Sequence, residues 1–240
     1  MGRVILIASG KGGVGKSVFT SNLGATFAER GLKTILVDMN IGLRNLDIYL
    51  GLENKVIFDM ADVLDGVAPF SKAVVRDRRF QSLYLLATTQ KKEKFTAGPD
   101  EVRRFYEGLR VHFDVVIIDG PAGRGEELAL ASSGVDMAVL VTTPEYVSLR
   151  DADMVDQALR NLGIKDRVYI VNKVNKRFIG VGVLPTVETI SSTMKIPLLG
   201  VVQYDDNIHL SANAGVPIVF QRDNYIGRNF NRIADRIMQY

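Results

Sequence analysis

The residues with the clearest chemical meaning lie close to the N-terminus, in the segment GKGGVGKS at positions 10–17. This segment matches the phosphate-binding pattern G-x-x-x-x-G-K-[ST], and it contains a second lysine, Lys11. Its glycines allow several backbone N–H groups to point at one phosphate, and the N-terminus of the following helix adds partial positive charge. Lys16 is therefore predicted to neutralise the β- and γ-phosphates of a nucleotide, and the Ser17 hydroxyl is predicted to hold Mg²⁺.

Lys11 is a second cation in the same short loop, where Lys16 already serves the phosphates. If Lys11 points outward, it could reach the phosphates bound by the partner chain of a face-to-face dimer. There it would stabilise the negative charge that develops in the transition state. The alternative is a solvated lysine with no role.

Two aspartates follow predicted strands: Asp38 comes after residues 34–37, and Asp119 comes after residues 115–118. Beside a phosphate-binding loop, such carboxylates can hold Mg²⁺ through water or orient an attacking water. The alternatives are a turn-forming Asp-Gly pair at Asp119 and a helix or turn cap at Asp38. A loop is predicted at residues 120–123, where the N–H of Gly123 could contact a γ-phosphate.

Short apolar runs alternate with amphipathic stretches of helical length along the whole chain. The predicted strands are residues 4–8, 34–37, 83–87, 115–118, 137–142, 167–171 and 198–202, and the predicted helices include residues 16–30, 100–110, 149–161 and 185–194. This alternation predicts an α/β fold with a single domain over residues 1–240. Its sheet is expected to be doubly wound and mostly parallel, with seven to eight strands flanked by helices.

The composition excludes several other kinds of site. The 240 residues contain no cysteine, which excludes disulfides, thiolate metal sites and cysteine nucleophiles. The two histidines are far apart and are predicted to be surface residues. No signal peptide or apolar run of about 20 residues is present, so the chain is predicted to be cytoplasmic. The net charge is +3, and the basic clusters at residues 76–79 and 91–94 are predicted to be solvated faces. A nucleic-acid or anionic-lipid footprint is the alternative for these clusters.

Residues 11–17 resemble the deviant Walker A motif of the ParA/MinD family of P-loop ATPases, whose signature lysine is Lys11 here. The other segments that resemble this family are residues 38–47, 51–54, 119–123 and 142–153. The resemblance covers nearly the whole chain and is closest to family members that place the cell-division site. It implies an ATP-dependent homodimer that hydrolyses ATP with Mg²⁺ and binds a division inhibitor and an ATPase-activating protein. It also implies, as an alternative to a purely cytoplasmic protein, a peripheral location at the inner face of the cell membrane.

The resemblance implies roles for individual residues. Lys11 would cross the dimer interface, Asp38 would activate water, Asp119 would support Mg²⁺ and Asn172 would contact adenine. The alternative for Asn172 is an asparagine that caps a turn after a strand. Together with the loop, the predicted catalytic residues are Lys11, Lys16, Asp38 and Asn40, the predicted Mg²⁺ ligands are Ser17, Asp38 and Asp119, and the predicted nucleotide-binding residues are Gly12, Gly13, Val14, Gly15, Lys16, Ser17, Val18, Gly123, Asn172 and Gln203.

The chain departs from the family pattern at three places. Asn40 stands where the family usually has an aspartate that supports hydrolysis, so turnover is predicted to be slow while binding survives. Gln203 stands where a proline near the adenine is common. Apolar residues recur at helical spacing over residues 226–237, which predicts a final helix packed on the core rather than the family's membrane-lying helix.

The leading hypothesis is therefore an ATPase switch that dimerises on ATP and positions a division inhibitor. A nucleotide-gated scaffold with little hydrolysis is the first alternative, motivated by Asn40. A relative that positions flagella or DNA is the next, although nucleic-acid binding is the less favoured interpretation of the basic clusters. A small-molecule ligase or phosphotransferase would need a second acid–base pair, and no candidate for one is evident in the sequence.

Overall fold

The computed structural model describes residues 1–178, 184–221 and 225–240. Within these ranges one sheet contains eight strands: β1 (Arg3–Ser9), β2 (Thr34–Asp38), β3 (Val75–Arg76), β4 (Leu83–Leu86), β5 (Val115–Ala122), β6 (Met137–Thr142), β7 (Asp166–Val174) and β8 (Leu198–Gln203). Their order is β3-β4-β2-β5-β1-β6-β7-β8. The neighbouring strands are parallel, apart from the short antiparallel pair of β3 and β4. The predicted fold class is confirmed.

Helices cover both faces of this sheet. They are α1 (Lys16–Glu29), α2 (Leu46–Tyr49), α3 (Met60–Leu64), α4 (Phe70–Ala73), α5 (Pro99–His112), α6 (Glu126–Ala131), α7 (Tyr146–Asn161), α8 (Val187–Met194), α9 (Asp206–Asn213) and α10 (Tyr225–Ile237). One apolar layer includes Phe27 of α1 and Ile233 of α10, and the other includes Tyr106 of α5 and Leu159 of α7. Central strands are buried from both sides, which explains why they are apolar without alternation.

The strand order places the functional loops in one crevice. β1 lies between β5 and β6 in the sheet. The chain passes from β1 to β2, which lies on the β5 side, and from β6 to β7, which lies on the other side, so these two connections run in opposite directions. In open parallel sheets a ligand binds at the carboxyl ends of the strands where this divergence occurs. The loop after β1 belongs to the glycine-rich segment 10–17, whose last two residues begin α1, and this segment therefore opens at the expected binding position.

The predicted strands are all present, with two differences. β3 was missed because it has two residues and pairs at the sheet edge, which leaves almost no periodic signal. β5 does not end at Ile118 but continues through Ala122, so the prediction of a loop beginning at Gly120 is wrong there. The Asp-Gly-Pro sequence is typical of a turn, but pairing of Ser9 with Ala122 keeps the strand extended beside β1.

The last helix, α10, packs on the core as predicted. Its residues Ile226, Phe230, Ile233 and Ile237 are buried, and the Phe230 ring lies 5.4 Å from that of Phe19. Among the residues that the structure describes, no helix is both long enough and apolar enough to cross a membrane. His112 and His209 are exposed, as predicted.

The prediction of a solvated face at residues 76–79 is wrong for half of the cluster. Asp77 is 1% exposed, and Arg79 is held against it by a bidentate ion pair. In the second cluster Lys94 forms ion pairs with Asp59 and Asp62 at the start of α3. Alternation of acidic and basic residues within 76–79 reflects a partly buried ion pair rather than a solvated surface.

Candidate functional site

The glycine-rich loop has a conformation that only glycine adopts without strain at two positions. Gly13 and Gly15 have φ angles of 81° and 92°. A Cβ atom at Gly12 or Gly13 would meet nothing within 4 Å, whereas one at Gly15 would lie 2.4 Å from the side-chain nitrogen of Asn172. The loop is therefore open at Gly12 and Gly13, as a phosphate cradle requires, and tightly supported at Gly15.

Asp119 of β5 is the centre of a buried hydrogen-bond network beneath this loop. Its Oδ1 lies 3.1 Å from the Lys16 ammonium and accepts a hydrogen bond of 2.9 Å from the Thr20 hydroxyl. Its Oδ2 accepts a 2.6 Å hydrogen bond from the Ser17 hydroxyl. The predicted Mg²⁺ ligands Ser17 and Asp119 are thus in direct contact with each other, and Lys16 lies beside them.

Asn40 connects this network to Asp38. Its Nδ2 donates to Asp119 Oδ2 at 2.8 Å and to Asp38 Oδ1 at 3.2 Å, and its Oδ1 accepts from Lys16 at 3.3 Å. The amide thus bridges two carboxylates that would otherwise repel each other. Position 40 was predicted to be catalytic, and in this arrangement Asn40 holds Lys16 and both aspartates in place.

Asp38 is fully buried and caps α2. Its Oδ2 accepts hydrogen bonds of 3.1 Å from the backbone N–H groups of Asn45 and Leu46, where that helix begins. Burial, followed by the negative charge of Asp119, raises the pKa of Asp38 to about 6. The capping role, set out as the alternative for this residue, is present here. The water-activating and metal-binding roles of Asp38 stay predictions.

Lys11 lies apart from the buried network, at the rim of the site. Its side chain is 41% exposed, and its ammonium lies 3.2 Å from a carboxylate oxygen of Glu145, the residue before α7. The outward orientation that a role across an interface requires is present. An exposed ion pair of this kind contributes little stability, so Lys11 can change partners at small cost.

The opposite wall of the site is built from the ends of β7 and β8. The Asn172 side chain donates a 2.8 Å hydrogen bond to the carbonyl oxygen of Val14, so it supports the loop in addition to any contact with a base. Gln203 and Tyr204 line the same wall. Asn172 lies within β7, and the alternative of a turn cap after the strand does not describe it.

Gly123 has a different partner from the predicted one. Its N–H donates a 2.9 Å hydrogen bond to the carbonyl oxygen of Ser9, which follows from the extension of β5 beside β1. A contact of this N–H with a γ-phosphate would require that bond to break. Its φ of 89° keeps the local backbone in a conformation that favours glycine.

Two residues of the site were missed from the sequence. Thr20 lies one helical turn after Lys16, and a polar residue on a buried helix face was the available signal. Lys173 has a φ of 57°, and its ammonium donates to the carbonyl oxygen of Gly13 at 2.7 Å. Nothing in the sequence distinguishes Lys173 from an ordinary surface lysine, because its partner is 160 residues away.

These walls enclose a cleft of about 730 Å³, a size typical of small-molecule sites. It is lined by the loop residues Lys11 to Val18, by Asn40 and Tyr49 on one side, and by Asn172, Gln203 and His209 on the other. No group of three or more acidic or histidine side chains suited to a metal occurs among the described residues. A phosphate-bound Mg²⁺ fits this donor set, because Mg²⁺ in such sites takes one or two protein ligands and completes its shell with phosphate oxygens and water.

Comparison with known proteins gives consistent relatives. The ParA family profile, described as NUBPL iron-transfer P-loop NTPase, matches residues 1–238. The septum site-determining protein MinD of Bacillus subtilis is 39% identical over 240 residues, which covers 99% of this chain and 90% of that protein. MinD of Thermotoga maritima is 36% identical over 239 residues, covering 99% and 88%.

Solved structures agree with this result. The MinC:MinD cell division protein complex of Aquifex aeolicus matches with a TM-score of 0.91 and 34% identity, covering 99% of this chain and 96% of that one. MinD of Pyrococcus horikoshii, complexed with Mg-ADP, matches with a TM-score of 0.87 and 29% identity over 99% and 96%. With a glycine-rich loop, a buried Lys16–Asp119 pair and relatives that match over nearly its full length, this chain belongs to the ParA/MinD family of P-loop ATPases.

Proposed function

We propose that this protein is a MinD-like ATPase that dimerises on ATP and takes part in placing the division site. The observation that carries the proposal is the buried network from Lys16 through Asn40 to Asp38. Asp38 caps α2, so a change at the phosphate loop reaches the segment 40–50 directly. Segments ordered by a γ-phosphate and released after hydrolysis are the usual output of P-loop switches.

The residues of the cleft have separate tasks in ATP hydrolysis. The loop N–H groups and Lys16 bind and orient the phosphates, and Ser17 and Asp119 would hold Mg²⁺. Mg²⁺, when bound, neutralises charge on the phosphate oxygens. Asp38 would orient the attacking water from the position in which the N–H groups at the start of α2 hold it. Without an activating partner, turnover in such switches is on the order of 10⁻⁴ to 10⁻² per second.

Dimerisation is supported by the rim of the cleft. Lys11 is half-exposed there, and large apolar side chains are exposed on the elements that border the opening. These side chains are Leu43, Ile48, Tyr146, Val147, Tyr204 and Leu210. A second copy of the chain facing this rim would cover them and bring its Lys11 toward the bound nucleotide.

Partners are proposed from the relatives. The Aquifex aeolicus protein is solved in complex with MinC, and a division inhibitor of that kind is the proposed partner here, together with an ATPase-activating protein.

The apolar face of α10 packs on the core and is not available for lipid, so any peripheral place at the membrane needs another element. Arg79 and Lys94, engaged in ion pairs, are poor candidates for binding nucleic acid.

The test is sedimentation velocity in ATP–Mg²⁺ and in ADP–Mg²⁺, combined with single-turnover hydrolysis. The wild-type protein should sediment as a dimer in ATP–Mg²⁺ and as a monomer in ADP–Mg²⁺. Lys11→Ala should lose at least about tenfold in turnover, because it removes a charge that acts on the transition state. Lys165→Ala, which removes the same charge from an exposed position before β7, is the control. A monomer in ATP, or equal rates in the two variants, would refute the dimer-activated mechanism.

The scaffold alternative is favoured by one observation, the Asn40 amide that bridges the two carboxylates. An amide cannot accept a proton, and its hydrogen bonds hold Asp38 in its capping position. Asn40→Asp replaces the donor by a carboxylate. A large gain in single-turnover rate would support a wild-type protein that binds ATP and scarcely hydrolyses it, and an unchanged rate would argue against this. Asn213→Asp, on the cleft wall formed by α9, controls for added charge.

A further inference from the structure

Arg79, from the basic cluster after β3, is held in a fixed orientation by Asp77. The Asp77 carboxylate accepts from Arg79 Nη2 at 2.6 Å, from Nε at 3.1 Å and from the Arg79 backbone N–H at 2.7 Å. Asp77 is 1% exposed, whereas the neighbouring Arg78 is exposed to solvent. A guanidinium fixed in this way presents its remaining donors in one direction.

Those remaining donors join two turns that are far apart in sequence. Arg79 Nη2 donates to the carbonyl oxygen of Leu50, the residue after α2, and Nη1 donates to that of Gly215 at 2.8 Å, in the turn after α9. The two turns touch at Gly51 and Gly215. A Cβ atom at Gly215 would lie 2.7 Å from the Cα of Gly51, so no side chain fits between them.

These turns belong to opposite walls of the cleft. α2 begins at the N–H groups held by Asp38 and carries Tyr49, which lines one wall. α9 carries His209 and Asn213, which line the other. The N–H of Leu50 donates a 3.2 Å hydrogen bond to the carbonyl oxygen of Leu46, whose own N–H binds Asp38. The single turn of α2 therefore connects the carbonyl held by Arg79 to the N–H groups that bind Asp38.

We propose that Arg79 is a positioning residue that fixes the end of α2 to the turn after α9 and thereby sets Asp38 and Asn40 beneath the phosphate loop. This rests on the proposed ATPase function for its kinetic consequence, but not for the structural link itself. Misplacement of a catalytic group by about 1 Å can cost a hundredfold in rate, so the loss of Arg79 should be visible in turnover. ATP affinity should change much less, since the loop contacts remain.

Two variants of Arg79 test this proposal, and Arg78→Ala, which removes the same charge from the neighbouring exposed residue, is the control. Arg79→Ala removes the guanidinium that bonds Asp77 and both carbonyl oxygens. Arg79→Lys keeps the charge beside Asp77 but cannot bond both carbonyls, and it covers the case in which the alanine variant fails to fold. Hydrogen exchange without nucleotide should quicken by about tenfold at residues 44–52 and 209–217, while the β1 and β5 segments keep their wild-type rates. Single-turnover rates at saturating ATP should fall about tenfold or more, with the half-saturating ATP concentration changed less than twofold.

The opposite results are equally clear. Exchange that quickens evenly over all segments would mean that Arg79 contributes general stability alone, and the proposal would be wrong. Unchanged exchange at 44–52 in folded Arg79→Lys, or a rate equal to that of Arg78→Ala, would also overturn it. If the wild-type protein itself fails to hydrolyse ATP, the proposed function fails, whereas the exchange experiment still decides whether Arg79 links the two turns.

Discussion

Asp38 and Asp119 lie on adjacent strands, yet their hydrogen-bond partners give them different electrostatic surroundings. Asp119 lies beside the Lys16 ammonium and accepts from two hydroxyl groups. Asp38 accepts from neutral N–H groups of Asn40, Asn45 and Leu46. Both carboxylates are fully buried, but the Lys16 ammonium lies beside Asp119, whereas Asp38 has neutral donors around it and faces the charge on Asp119. This difference explains why the pKa of Asp38 is raised.

The raised pKa of Asp38 predicts a specific pH dependence of stability. Between its ordinary value of 3.8 and about 6, the folded protein binds a proton at Asp38 that the unfolded chain does not. The contribution of Asp38 to stability is therefore greatest at low pH and is lost as the pH rises through about 6. Asp38→Asn removes this loss. In EDTA, the free energy of unfolding of the variant relative to wild type should rise by about 2 to 3 kcal/mol between pH 4 and pH 7.

Urea unfolding at half-unit steps of pH measures this difference. Lys165→Ala, remote from both aspartates, should give a difference that is constant with pH. A constant difference for Asp38→Asn as well would show that Asp38 has an ordinary pKa in the folded protein.

At the residue scale, sequence reasoning identified side chains by chemistry and failed where a contact depends on the fold. Lys16, Ser17 and Asp119 are brought together as predicted, because the pattern of the loop and the end of a strand determine their places. The bonds of Asn172 and Lys173 to loop carbonyls could not be predicted. They depend on how closely β7 approaches the loop, which no local pattern encodes.

At the scale of elements, the phosphate loop is held by side chains from β7 as well as by its own glycines. Asn172 and Lys173 bond the carbonyl oxygens of Val14 and Gly13, on the side of the backbone opposite to N–H groups that would face phosphate. Holding the carbonyls fixes the direction of the N–H groups before a ligand arrives. Such preorganisation lowers the conformational cost of binding.

This arrangement separates two roles for Asn172. If its main contribution is to hold the loop, Asn172→Ala should weaken ATP and GTP together, by about tenfold for the loss of one buried hydrogen bond. If it chiefly contacts adenine, ATP affinity should fall and GTP affinity should not. Equilibrium titration with both nucleotides decides between these, with Asn175→Ala, whose side chain bonds the Arg177 N–H beyond the cleft, as the control. We expect the affinities for ATP and GTP to fall by the same factor, and a change in the ratio of the two affinities would contradict this expectation.

At the scale of the whole molecule, the alternation of strands and helices predicted the parallel, doubly wound sheet, and the handedness of crossovers explains why. The strand order was not predictable in detail, since it depends on which apolar strands pair, and those strands are alike in sequence. The same limit explains the error at β5, where pairing with β1 overrides the local turn signal of Asp119 and Gly120. For α10 the sequence sufficed, because apolar spacing distinguished a packed face from a surface face.

The attachment of α10 to the sheet gives the last prediction. Gly200 of β8 lies directly beneath Ile233, and a Cβ atom at position 200 would lie 2.7 Å from Ile233 Cγ1. Gly200→Ala should therefore cost about 1 to 3 kcal/mol by overpacking, and Ile233→Ala about 2 to 5 kcal/mol by leaving a cavity. In the double variant the new methyl group occupies part of that cavity. Its loss of stability should be smaller than the sum of the single losses by at least about 1 kcal/mol.

Urea unfolding of the four proteins measures this coupling. Gly108→Ala on α5, where a Cβ atom would meet nothing within 4 Å, should combine additively with Ile233→Ala. Additive losses for Gly200 and Ile233 would mean that the helix shifts away from the sheet when either residue changes. Favourable coupling would instead show that α10 is held in a fixed register on β8. In that case the apolar face of α10 is committed to the core and cannot also lie in a lipid interface.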